Sequence, residues 1–168
     1  MIKGVNFDNQ LVTAKQHGAL FRAAFGDGIL SGMSINVSGK TITIGAGYCV
    51  VAGREIQLTA TETVSVTATS GYARVLMQID LSQTATESAF SQASLVLQTA
   101  TSQDGFAALT QDDINGGGTV YQIVLCVVQC GSSLTLLSKA PNAAHPITVG
   151  TDAPSGGSDG DIYLQYSE

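Results

Sequence analysis

The stretch Ser34-Ile-Asn-Val-Ser-Gly-Lys-Thr-Ile-Thr-Ile-Gly-Ala-Gly-Tyr-Cys-Val-Val-Ala-Gly-Arg-Glu-Ile-Gln-Leu58 alternates apolar and polar residues with a period of two. Ile35 and Val37, Ile42 and Ile44, Tyr48 and Val50, and Ile56 and Leu58 form successive pairs, and Val64 and Val66 continue the series. Such alternation puts every second side chain on one face of an extended chain, which a helix cannot do. Gly39, Gly45, Gly47 and Gly53 fall between the pairs, where tight turns belong. Short strands separated by glycine turns predict an antiparallel β-sandwich or barrel-like meander.

Outward from this core the pattern lengthens. Tyr72 to Leu81 sets Arg74, Gln78 and Asp80 against Val75, Met77 and Ile79, and Ala93 to Thr99 reads as its antiparallel partner across the polar segment Ser82 to Gln92. Thr119 to Val128 is the most apolar run and predicts a central strand, with Ser133 to Leu137 returning beside it after Gly131. Upstream, Thr13-Ala-Lys-Gln16 is a capping box that opens a helix over Ala14 to Phe25, with Gly26 as its stop. Its apolar residues gather toward the C-terminal half and predict packing on a sheet. Thr110-Gln-Asp-Asp-Ile-Asn115 before Gly116-Gly-Gly118 predicts one helical turn capped by the threonine. Past Lys139, Pro141, His145, Pro146, Pro154 and Ser155-Gly-Gly-Ser-Asp-Gly160 mark an arm that ends in the strand-like Asp161 to Tyr166. The expected division is a sandwich with its helix over residues 1–140 and an arm over 141–168, the terminal strand folding back on its own domain or passing to a neighbour.

The chain has 168 residues, enough for one domain. Only 12% are charged against 44% hydrophobic, which argues against a coiled coil or a disordered charged chain. Thirteen acids and seven scattered bases give a net charge of −6, a poor match to nucleic acid or an anionic membrane. Five Phe, five Tyr and no Trp leave few platforms for stacking bases or sugars. The longest apolar run, Val120 to Val128, is too short to span a bilayer, and Met1 to Asp8 lacks the apolar stretch of a signal peptide.

Residue types that carry chemistry are present but dispersed. Cys49, Cys126 and Cys130 lie in strand-like runs, and residues four apart on one strand are about 13 Å from each other, too far for a disulfide or one metal ion. Buried thiols in a reducing compartment are the expectation. His17 and His145 stand in separate segments, and nothing pairs a serine nucleophile with a base. Gly26-Asp-Gly28 and Gly116-Gly-Gly118 lack the Lys-Ser/Thr of a phosphate loop and read as turns. Asp112 and Asp113 lack the alternating spacing of a calcium loop, and Asp152, Asp159 and Asp161 around the Gly-rich arm read as a polar loop. Arg54 and Arg74 are lone cations in charge-poor strands, expected to pair or to lie along an edge. No catalytic residue, cofactor-binding residue or metal ligand is assigned.

Three stretches carry a resemblance. Val12-Thr-Ala-Lys-Gln-His-Gly-Ala-Leu-Phe21 leads through Phe25-Gly-Asp-Gly-Ile-Leu-Ser-Gly-Met33 to the hairpin Ile44-Gly-Ala-Gly-Tyr-Cys-Val-Val-Ala-Gly-Arg-Glu-Ile56. Together they resemble the N-terminal region of tail and baseplate structural proteins of phages and prophages of Gram-positive bacteria. Tyr72 to Leu81, Val120 to Leu125 and the ending Val149 to Tyr166 resemble later segments of the same proteins. The resemblance implies an oligomeric virion component, with a trimer favoured, that joins the tail tip or baseplate to host-recognition proteins. Its partners are then other tail proteins, and its place is the virion tail after assembly in the bacterial cytoplasm. Larger relatives continue into fibre or sugar-binding domains, and a chain stopping at Glu168 is expected to be a connector.

The expected contacts are made by the helix and the arm, through Leu20, Phe21, Phe25, Ile162, Tyr163 and Tyr166. A rival from another class is a carbohydrate-binding module using Tyr48, Tyr72 or Tyr121 for stacking and Asp80 or Arg74 for hydroxyls. A second rival is a wall-sugar hydrolase using Asp80 and Glu62.

Overall fold

A computed structural model describes residues 13–86, 90–144, 147–150, 153 and 162–165, without the side chains of 147–150 and 162–164. Helix α1 (Ala14–Ala24) precedes β1 (Gly28–Gly32), β2 (Ile35–Ser38), β3 (Thr41–Ile44), β4 (Gly47–Val51), β5 (Arg54–Leu58) and β6 (Glu62–Ser65). Then follow β7 (Tyr72–Asp80), β8 (Ala93–Ala100), β9 (Val120–Cys130), β10 (Leu134–Lys139), β11 (Ile147–Gly150) and β12 (Ile162–Gln165). Three sheets are antiparallel, with strand orders β1-β4-β5, β2-β3-β6 and β10-β9-β7-β8, and β11 pairs with β12 in parallel. The protein is therefore mainly β, a sandwich with one short N-terminal helix and no closed barrel.

One apolar cluster joins the antiparallel sheets. Ile35, Ile42 and Ile44 come from the β2-β3-β6 sheet, Cys49, Val51 and Ile56 from the β1-β4-β5 sheet, and Val75, Met77, Ile123 and Val128 from the four-stranded sheet. Burying side chains of this size contributes roughly 1.5–3 kcal/mol each, so the cluster dominates the stability of the fold. The predicted pairing of Tyr72 to Leu81 with Ala93 to Thr99 is present as β7 and β8, and β9 is central, flanked by β7 and β10.

Two local readings change. In β4 the residues joining the common core are Cys49 and Val51, not the predicted Tyr48 and Val50. Val50 is buried nevertheless, because Phe25 and Leu30 flank it in a small hollow outside that core. In β9 a register shift places Cys126 opposite Val75 but Val124 opposite Leu76, so both Leu125 and Cys126 are buried and the strict alternation breaks.

The outer face of β7 and β9 is also covered. Leu76 is fully buried beside the polar positions Arg74 and Gln78 of its face. The segment after β8 lies against it. Arg74 sits over the Phe106 ring at 4.6 Å and donates to the Ala107 carbonyl, while Gln122 Oε1 accepts from the Thr110 N–H at 3.0 Å. Gln122 in turn donates to Gln78 Oε1 at 2.6 Å, so this buried polar layer is hydrogen-bonded throughout.

Candidate functional site: the helix, its hairpin seat and the adjoining cleft

Helix α1 begins as the capping box requires. Thr13 Oγ1 accepts from the Gln16 N–H at 3.3 Å, and Gln16 Oε1 accepts from the Thr13 N–H at 2.8 Å. The helix ends at Ala24 with Phe25 as its cap, one residue before the expected glycine. Its seat differs from the expected one. The helical residue that is buried is Gly18, while Leu20 and Phe21 are 57% and 46% exposed. The helix meets the sheet at β5, while Leu20 and much of Phe21 project into water.

Gly18 seats the helix on the turn between β4 and β5. That turn is Ala52-Gly53, with φ of 50° and 77°, the left-handed pair of a two-residue type I′ hairpin. Alanine in this region is strained, and its surroundings hold it there. The Ala52 N–H donates to Asp27 Oδ1 at 2.6 Å, and Asn115 Nδ2 donates to the Ala52 carbonyl at 2.7 Å. Asp27 Oδ2 also accepts from the Tyr121 hydroxyl at 2.9 Å, and the Arg22 guanidinium lies 5.2 Å from the Tyr121 ring centre. Burial, then the hydrogen bond and negative charge of Asp27, push the Tyr121 hydroxyl above its ordinary pKa, against the smaller opposing effect of Arg22. Lys15 closes the seat by donating to the Gly116 carbonyl.

Beside this seat runs a cleft. A hollow of about 400 Å³ lies between α1, β5 and the β7–β8 connection, lined by His17, Phe21, Arg54 and Phe90 over Ile79 and Leu81. A second of about 300 Å³ continues it along β5 and β8, sharing Ile56, Phe90 and Ala93. Phe90 is 68% exposed. The polar composition of Ser82 to Gln92 concealed it, and its signal was being the only aromatic residue in that connector.

Of the predicted contact residues, Leu20 and Phe21 are exposed and Phe25 is half-buried. His17, Phe21 and Phe25 form an aromatic row along the helix, with ring centres 6.2 and 6.0 Å apart. Ile162 and Tyr163 lie in β12 and their side chains, like the whole of Tyr166, lie outside the described residues. The start of the arm folds back on its own domain. The Ile29 N–H donates to the Pro141 carbonyl at 2.8 Å, and Ala143, which is buried, donates to the Ile29 carbonyl at 2.8 Å.

The structure distributes the remaining candidates among structural tasks. Tyr121 is 5% exposed and Arg74 is 9% exposed, so neither offers a sugar-binding surface, whereas Tyr48 and Tyr72 are half-buried. Arg74 makes no ion pair among the described residues; its Nε and Nη2 donate to Gln98 Oε1 at 2.9 and 2.7 Å. Asp80 accepts from the Ser82 hydroxyl, the Gln83 amide and the Ser82 N–H, which hold its carboxyl below the usual range. That shift is opposite to what a general acid needs. Glu62 lies at the start of β6.

The Thr110 helical turn is absent. Asp112 instead accepts from the Thr119 and Val120 N–H groups at 3.3 and 3.1 Å, and the Asp113 carbonyl accepts from Gly116 and Gly118. Those bonds tie the segment into a turn. His145, Asp152, Asp159 and Asp161 lie outside the described residues. No three His, Cys, Asp or Glu side chains converge among the described residues. No helix there is long and apolar enough to cross a membrane. Neither a protein-family model nor a curated protein matches the chain.

Proposed function

We propose that this chain is a non-enzymatic structural component of a phage or prophage tail, joining the tail tip or baseplate to host-recognition proteins, with a homotrimer as its working state. The observation that carries this reading is the exposed Leu20–Phe21 pair on a helix fixed through Gly18. Apolar side chains held in water on a rigid support suit protein contact, because little ordering entropy is lost when a partner covers them. The resemblance of the helix and the Gly45 to Ile56 hairpin to tail proteins adds the kind of assembly. Partners are then other tail or baseplate proteins, and the virion tail is its location.

Light scattering after size exclusion, at two protein concentrations, tests the reading. A concentration-independent trimer that becomes monomeric when Leu20 and Phe21 are both changed to Ser supports it. A wild-type monomer that fails to join purified tail-tip proteins overturns it. Retention of such a monomer on cell-wall polysaccharide would favour the carbohydrate-binding alternative.

A further inference from the structure

We infer that β8 pairs edge to edge with β8 of a second copy of this chain, antiparallel about a two-fold axis through Val96, so that the four-stranded sheets of the two copies become one. None of the paired residues is Leu20 or Phe21, and the contact stands independently of the tail reading. Among the described residues β8 ends its sheet and pairs with β7 alone. From Ala93 to Ala100 it carries no charge, no proline and no irregularity in that register. Charge, proline and bulges are what ordinarily block a free edge, and this edge has none of them. β10, at the other end of the sheet, is protected by a register shift between Leu136 and Ser138, by Lys139 and by its contact with β2. With one unprotected edge in this sheet, pairing closes after two copies instead of growing into a fibre.

The backbone decides which residues can meet. The Asp80 N–H donates to the Gln92 carbonyl at 2.9 Å, one step beyond the pair Ile79–Ala93. Hydrogen-bonded pairs recur at every second residue of an antiparallel ladder, so Ser94, Val96 and Gln98 turn their main-chain groups to β7, and Ala93, Leu95, Leu97 and Thr99 turn theirs outward. A second β8 has the same parity and must set odd positions against odd. The axis through Val96 does so and also matches the side chains: Leu95 meets Leu97, Ala93 meets Thr99 and Ser94 meets Gln98, each on both sides of the axis. An axis at Leu97 would set Val96 against Gln98 and Leu95 against Thr99, and one at Leu95 would set Val96 against Ser94. Leu97 supplies the apolar incentive. It stands opposite Val75, on the core-facing side of the sheet, yet it is 36% exposed, and Leu95 of the second copy would cover it. On the other face Gln98 offers an amide donor to Ser94, its oxygen being held by Arg74. Because the strand is uncharged, two chains of net charge −6 bring no like charges together along the ladder.

A strand pair of this length is smaller than a standard interface, so it should dissociate at about 0.1–1 mM, leave chains single at micromolar concentration, and be read best by a disulfide trap. The trap is set in the full-length Leu20→Ser/Phe21→Ser protein, which removes the helix contact, so its failure is distinct from failure of the tail reading. Val96 would face itself in a non-hydrogen-bonded pair with Cα atoms about 4.5 Å apart, within disulfide range. The two Ser94 residues would lie about 14 Å apart, although Ser94 is the more exposed position. The native cysteines are buried and do not compete. In a glutathione redox buffer at about 0.2 mM protein, Val96→Cys should form covalent dimer at least about tenfold faster than Ser94→Cys, and adding Leu97→Lys should reduce it to the Ser94→Cys rate. A mixture of Ser94→Cys and Gln98→Cys proteins should give the mixed disulfide in preference to either self-disulfide, a check of register that leaves Val96 in place. Circular dichroism verifies that each variant is folded. Val96→Cys that links no faster than Ser94→Cys, a dimer indifferent to Leu97→Lys, or no preference for the mixed disulfide overturns the proposal. So does a Val96→Cys chain that links only when a different polypeptide is added, since the edge would then not be occupied by a second copy.

Discussion

Gly53 lies so close beneath Gly18 that a Cβ built on Gly53 would stand 2.0 Å from the Gly18 carbonyl oxygen. The helix thus rests on bare backbone, at the turn where β4 reverses into β5. The same Cβ would meet the Arg22 N–H nitrogen at 2.5 Å, so the contact is with the helix main chain and cannot be relieved by a side-chain rotation. Gly53 also has φ of 77°, which no L side chain adopts without strain.

Gly53→Ala is therefore expected to displace α1 and cost about 2–4 kcal/mol, combining backbone strain with overpacking. Gly39→Ala is the matched control. Gly39 has φ of 56° but nothing within 4 Å of its added Cβ, so only the strain of about 1–2 kcal/mol remains. Urea denaturation gives both costs, and trypsin cleavage at Lys15 and Arg22 should accelerate in G53A alone. Equal losses in the two variants would refute close helix docking on Gly53.

The Tyr121–Asp27 hydrogen bond makes a pH-dependent prediction. The folded hydroxyl has a raised pKa, so folding favours its protonated form. Its contribution is complete below the unfolded tyrosine value of about 10 and is lost as pH rises through the folded value. Tyr121→Phe should cost roughly 1.5–3 kcal/mol at neutral pH, as expected for a hydrogen bond to a charged group. The difference between wild type and Y121F should shrink as pH rises above about 10. Denaturation midpoints across that range give the answer, and a gap that widens with pH contradicts the assignment.

Arg74 engages three groups through one guanidinium: Gln98 on β8, the Ala107 carbonyl and the Phe106 ring. Lysine cannot reproduce the planar fork that serves both acceptors while lying over the ring. Arg74→Lys is accordingly expected to lose about 1–3 kcal/mol, while Arg74→Met removes the charge and keeps part of the packing. The local readout is proteolysis between Ser102 and Gln111, which should increase in both variants. If R74K matches wild type in midpoint and proteolysis, the guanidinium geometry is not what holds this segment.

The sandwich was legible because its signals are local. Alternation from Ile35 to Val66 and from Tyr72 to Ile79 sets side chains on two faces, and the Thr13–Gln16 capping box needs four adjacent residues. What the sequence concealed depends on encounters between distant residues. Gly18 meets Gly53 and Asn115, and these contacts leave Leu20 and Phe21 outside. Tyr121 looked available for stacking until Asp27 and Arg22 enclosed it from another part of the chain. Thr110 had the form of a helix cap, yet its N–H is taken by Gln122 and the following turn is organised by Asp112. The cleft was hidden for the same reason. Arg54 opens β5 and Phe90 lies in the β7–β8 connection, and the two line one hollow only when β5 and β8 lie opposite each other.

The thiols provide a test of the core itself. Cys49, Cys126 and Cys130 are free and buried, on β4 and β9. Desolvation pushes Cys49 up to about 12 and Cys126 to about 11, so their reactive thiolate forms are scarce at pH 8. The native protein should react with an aromatic disulfide reagent orders of magnitude more slowly than a free thiol, and denaturant should release all three cysteines together. The rate should follow global unfolding, because Cys49 and Cys126 lie in the same apolar cluster and cannot be exposed without opening it. Cys130 is the sensitive member. It ends β9, and its N–H is held by the Gly71 carbonyl at 2.8 Å, so fraying of that end would expose it first. One fast thiol followed by two slow ones would locate a weak corner at the β9–β10 turn, and three fast thiols would mean that the sheets do not enclose this core.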